Sequence, residues 1–90
     1  MDSAAFYDNF ISYQVKSGIN DRIAGLYKKV CRHGLSSGST VLEIGCGIGT
    51  LTYLLCRQVT SGSIEAVDIS PASVAYAAKH ITAANTGFTA

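Results

Sequence analysis

The chain has 90 residues, 48% of them hydrophobic and 14% charged, with a formal net charge of +1. That balance offers no electrostatic case for a nucleic-acid partner, and no apolar run approaches the roughly 20 residues needed to span a bilayer. Cys31, Cys46 and Cys56 are odd in number and lack C-x-x-C spacing, so neither a disulfide framework nor a zinc site is indicated, and no metal is expected.

Met1-Asp2-Ser3 has neither the basic start nor the apolar core of a signal peptide, and reduced thiols in the cytoplasm are the expectation. Residues 3–15 carry Phe6, Phe10 and Ile11 at helical spacing, with Ser3 able to cap the amino end. Asn20 or Asp21 then caps a second predicted helix. Its stripe is Ile23, Leu26, Tyr27 and Val30, with Arg22, Lys28, Lys29 and Arg32 facing largely away and Gly34 at the expected stop. A polar turn over 35–39 leads into an apolar run at 40–45 that reads as a buried strand.

That strand breaks into Gly45, Gly47 and Gly49, three glycines at every second position. Glycine tolerates the positive φ that a strand-to-helix turn requires, and it leaves bare backbone for a ligand to lie against. A helix over 50–59 follows, with Leu51, Leu54, Leu55 and Val59 toward the sheet, and Ser61-Gly62 ends it. A second strand over 63–69 includes Asp68, near its carboxyl end, where a carboxylate can accept hydrogen bonds from a ribose diol. Ser70-Pro71 opens the next predicted helix as cap and first-turn proline, alanine-rich residues 72–84 continue it, and residues 85–90 read as a turn entering a third strand. This order is that of an α/β fold: the start of a doubly wound, Rossmann-like parallel sheet preceded by two helices, with only two full strands in the chain. A two-stranded parallel sheet is not independently stable. The chain therefore reads as a truncated amino-terminal fragment, with residues 1–37 a helical cap or lid and residues 38–90 the first half of a cofactor-binding domain. Taken as a whole molecule, it is expected to complete itself as a homo-oligomer or swapped dimer.

The glycine spacing separates two cofactor classes. A dinucleotide fingerprint G-x-G-x-x-G starting at Gly45 needs glycine or alanine at position 50, which is Thr50. The string Glu43-Ile44-Gly45-Cys46-Gly47-Ile48-Gly49, followed by Gly-Ser-Ile-Glu-Ala-Val-Asp-Ile-Ser at 62–70, resembles the first two motifs of the class I S-adenosylmethionine-dependent methyltransferases. The resemblance covers roughly residues 38–80. It implies that Gly45, Cys46, Gly47 and Gly49 form a loop under the methionine and ribose portions of S-adenosylmethionine. Glu43 would lie near the methionine amino group, Asp68 would hold the ribose hydroxyls and Ile69 would pack on the adenine. For Cys46 the plainer reading is a small residue between glycines. Glu43 can equally be a buried carboxylate that holds the loop through backbone N–H groups.

The implied activity is methyl transfer to a small-molecule acceptor, the fragment alone being inactive because no catalytic residue falls within it. A nicotinamide (NAD)-dependent oxidoreductase with an irregular fingerprint is the runner-up, against which Thr50 and Glu43 argue. A non-catalytic Rossmann-like interaction module is the third reading. Tyr7, Tyr13 and Tyr27 stand as aromatic residues of a lid, with Gln14 and Asn20 as polar ones; for Tyr27 the alternative is membership of the apolar stripe. His33 and His80 fall near predicted helix ends, where a cationic side chain suits the dipole, and neither is assigned as a base.

Overall fold

The computed structural model describes residues 20–90. The predicted helix over 3–15, with Tyr7, Tyr13 and Gln14, lies outside the described residues. The elements that follow are α1 (Asp21–Arg32), β1 (Thr40–Ile44), α2 (Thr50–Gln58), β2 (Ser63–Val67), α3 (Pro71–His80) and β3 (Thr86–Thr89).

Local chemistry sets most of their ends. Asn20 caps α1, its side chain accepting from the Ile23 N–H at 3.0 Å, with Asp21 in the first turn and Lys29 and Arg32 in the last complementing the dipole. Ser70 caps α3 in the same way, accepting from the Ser73 N–H, with Pro71 in the first turn. The predicted extension of α3 to residue 84 does not form. Ile81 adopts an extended conformation after His80 and is 8% exposed, so burial of its side chain ends the helix.

The strands form one parallel sheet in the order β1-β2-β3. Thr40 pairs with Ser63 and Ile44 with Val67, while Ile64 pairs with Thr86 and Val67 with Thr89. The entry to a third strand thus extends into a short four-residue strand, every residue of it in register with β2. Ile64 and Ala66 are buried and alternate with the exposed Ser63 and Glu65, so among the described residues helices cover one face of the sheet and leave the other bare. On the bare face Leu42 is 64% and Ile44 80% exposed.

The core on the covered face is Leu55, Val59 and Ile64, with Tyr27, Val30, Leu35, Val41, Leu51 and Cys56 packed around it. Leu26, expected in the stripe of α1, faces outward instead, since α1 rests on the core along the narrow arc of Tyr27 and Val30. At the amino ends of the strands, Asn85 Nδ2 donates to the carbonyls of Val59 and Gly62 and ties two crossover loops together. All three carboxyl ends therefore meet at the opposite edge, where the glycine string and Asp68 lie. No helix among the described residues is long and apolar enough to cross a membrane.

Candidate functional site

The β1–β2 ladder runs on past the strands. The N–H groups of Gly45 and Cys46 both donate to the Val67 carbonyl, at 2.8 and 3.0 Å, and the chain then turns over the carboxyl edge. Gly45, Gly47 and Gly49 take φ values of 80°, 56° and 89°, left-handed conformations that a side chain disfavours. Gly49 serves as the backbone N-cap of α2, and Tyr53 N–H donates to its carbonyl at 2.8 Å. It is also buried against α3. A Cβ there would come within 2.6 Å of Ile81 Cδ1 and 3.2 Å of Ala77 Cβ. Gly45 lies on the outer side of the turn, where an added Cβ meets nothing within 4 Å.

Asp68 closes the arrangement from the neighbouring strand. Its Oδ2 accepts the Gly47 N–H at 2.8 Å and its Oδ1 accepts the Ser70 N–H at 2.9 Å. Each carboxylate oxygen has two lone pairs, so each keeps one position for a further donor. Ile69 stands beside it, 54% exposed and apolar. The glycine turn, Asp68 and Ile69 thus border one crevice at the carboxyl edge of the sheet, the place where open parallel sheets bind their ligands.

Beneath the turn, Glu43 points to the covered face. Thr52 Oγ1, fully buried in the first turn of α2, donates to Glu43 Oε1 at 2.5 Å. Burial raises the Glu43 pKa, the Asp68 charge adds to the rise, and the Thr52 hydroxyl opposes it. Cys46 is 6% exposed, its Sγ directed to the Gly47 carbonyl at 3.6 Å. Its thiol is pushed up to about 12, by burial first and then by the negative charges of Glu43 and Asp68. The Asp68 carboxylate therefore offers acceptors at the crevice, which suits a ligand rich in donors.

The structure brings Glu43, Gly45, Cys46, Gly47, Gly49, Asp68 and Ile69 together within this turn and its neighbouring strand. Tyr27 belongs to the core, Asn20 caps α1, and His33 and His80 lie exposed at the ends of α1 and α3. His80 stacks on Tyr76 with ring centroids 4.1 Å apart. Thr52 escapes a reading based on apolar periodicity, because a hydroxyl three residues before Leu55 shares its helix face without adding to the apolar pattern. Among the described residues, no group of three or more His, Cys, Asp or Glu side chains could hold a metal ion.

Residues 41–90, more than half of the chain, match the family model described as a methyltransferase domain. The chain belongs to the S-adenosylmethionine-dependent methyltransferases. The match decides between the methyltransferase and nicotinamide readings of the glycine turn. Among curated relatives, trans-aconitate 2-methyltransferase of Mycobacterium tuberculosis is 44% identical over 61 residues, which are 68% of this chain and 23% of that protein. Malonyl-[acyl-carrier protein] O-methyltransferase of Priestia megaterium is 48% identical over 42 residues, 47% of this chain and 15% of that protein. The methyltransferase chain described here thus spans less than a quarter of the length of these relatives. A solved methyltransferase of Aquifex aeolicus described as SAM-dependent superposes with a TM-score of 0.57 at 31% identity, over 67% of this chain and 35% of that one. A structure titled DhpI-SAM-HEP complex gives 0.70 at 22% identity, over 99% of this chain and 44% of the other, and shows the shared fold.

Proposed function

We propose that this chain supplies the amino-terminal half of the S-adenosylmethionine site of a methyltransferase acting on a small-molecule acceptor. The observation that carries the reading is the Asp68–Gly47 hydrogen bond, which draws the carboxyl end of β2 onto the glycine turn and makes one crevice of the two motifs. In this reading the spare acceptor positions of Asp68 take the ribose hydroxyls and Ile69 lies against the adenine. The turn of Gly45, Cys46 and Gly47 runs under the methionine and ribose portions, with the buried Gly49 anchoring it to α3. Glu43 receives the methionine amino group. The acceptor oxygens of Asp68 and Glu43 fit a ligand that carries hydroxyl and ammonium donors better than one that presents a pyrophosphate.

When bound, the cofactor supplies an activated methyl group. The residues described here orient it, and holding reactants at attack distance is worth up to roughly 7–11 kcal/mol in favourable cases. A small acceptor is supported by the acceptor in the name of the trans-aconitate enzyme. Residues 38–90 are the cofactor-binding unit in this proposal and residues 1–37 a helical cap over it. Cytoplasmic location is proposed with it, supported by the free thiols of Cys31, Cys46 and Cys56.

Calorimetric titration of the full-length protein with S-adenosylhomocysteine and, separately, with NAD tests the assignment. Saturable binding of the first alone is expected. Binding of neither by a folded protein would leave a non-catalytic interaction module as the better reading.

A further inference from the structure

A carboxylate on the covered face of a sheet needs a donor to remain charged. Thr52 is fully buried in the first turn of α2, where a threonine hydroxyl ordinarily bonds to nearby backbone. It donates instead across to Glu43 Oε1. Among the described residues, the other groups around Glu43 give no such help. Its partner across the β1–β2 ladder is the apolar Ala66. Asp68, beyond the end of β2, adds like charge, and Cys46 in the turn is a buried thiol that stays protonated. Among the described residues, it is the hydroxyl of Thr52 that favours the ionised carboxylate.

We propose that Thr52 is a positioning residue for the cofactor, its hydroxyl holding the Glu43 carboxylate in one orientation beneath the glycine turn. This rests on the reading of Glu43 as the acceptor for the cofactor's amino group. Valine keeps the shape of Thr52 without its donor, whereas serine keeps the donor and loses a methyl group, so the two substitutions separate hydrogen bonding from packing.

The test is calorimetric titration of full-length wild type, Thr52→Val, Thr52→Ser and Glu43→Gln with S-adenosylhomocysteine across a pH series from acidic to neutral. Thr52→Val is expected to bind on the order of tenfold more weakly near neutrality, the scale of one hydrogen bond to a charged group. Its loss of affinity on acidification should begin at a higher pH than in wild type, while Thr52→Ser follows the wild-type curve. Added to Glu43→Gln, the valine substitution should cost nothing further. If Thr52→Val does not fold, Thr52→Ala removes the same donor and is read by the same criteria. Wild-type binding with a superimposed Thr52→Val curve, or an equal loss in Thr52→Ser, overturns the role of Thr52 alone. A wild-type protein that binds no S-adenosylhomocysteine overturns the cofactor reading itself.

Discussion

Each oxygen of Asp68 already holds a backbone N–H, Gly47 on one side and Ser70 on the other, so the side chain shapes the turn as well as facing the crevice. Asp68→Ala should therefore weaken S-adenosylmethionine binding by about 1.5–3 kcal/mol through lost charge-assisted hydrogen bonds. Amide exchange should also speed up at Gly47. Unchanged affinity in a folded variant would remove Asp68 from the site. Glu43 gives a prediction of opposite sign for stability. Burial raises its folded-state pKa above the unfolded value. Its contribution to stability is thus fully present below the unfolded pKa and is lost as pH rises through the folded one. Glu43→Gln, uncharged throughout, should gain on wild type in urea denaturation as pH rises toward neutrality, while binding S-adenosylhomocysteine more weakly. A stability difference that shrinks over that range would contradict burial as the main influence. Cys46, buried and pushed up to about 12, should resist alkylation by iodoacetamide near neutral pH. Mass spectrometry of the labelled protein should find the modification on the less buried Cys31 and Cys56 first.

At the scale of elements, the contact between the start of α2 and α3 decides the geometry of the turn. Gly49→Ala would combine a left-handed φ with a clash against Ile81 and Ala77, and should destabilise the fold by about 2–4 kcal/mol in thermal or urea unfolding. A loss under half a kcal/mol would mean that the two helices part without cost. The elements legible in the sequence were those written in local chemistry: the cap at Asn20, the Ser70-Pro71 start, and the spaced glycines after an apolar run. The ends and faces that depend on distant partners were not. Residues 81–84 have helical composition, yet Ile81 leaves α3 because its side chain is buried where it meets Gly49. Leu26 has the period of a core residue, yet α1 meets too little surface to bury it. The crevice was legible through Glu43, the glycines and Asp68; the inward hydroxyl of Thr52 carried no periodic signal.

Among the described residues, helices cover only one side of the sheet, and Leu42 and Ile44 lie exposed on the other beside the edge strand β1. An uncovered apolar face with unpaired backbone at its rim favours association. The 90-residue chain prepared alone should self-associate in sedimentation velocity, and replacing Leu42 and Ile44 by lysine should suppress this. A stable monomer with both residues intact would contradict the expectation. The crevice itself depends on none of that surface. Glu43, the glycine turn, Asp68 and Ser70 belong to one strand–helix–strand unit and its cap, and the bond from Gly47 to Asp68 spans 21 residues. The entropic cost of closing a loop must be met before such a contact forms, and parallel strand pairing is intrinsically slow. The pocket's geometry should thus be completed late in folding, once β1 and β2 have paired across α2 and Ile81 has packed on Gly49.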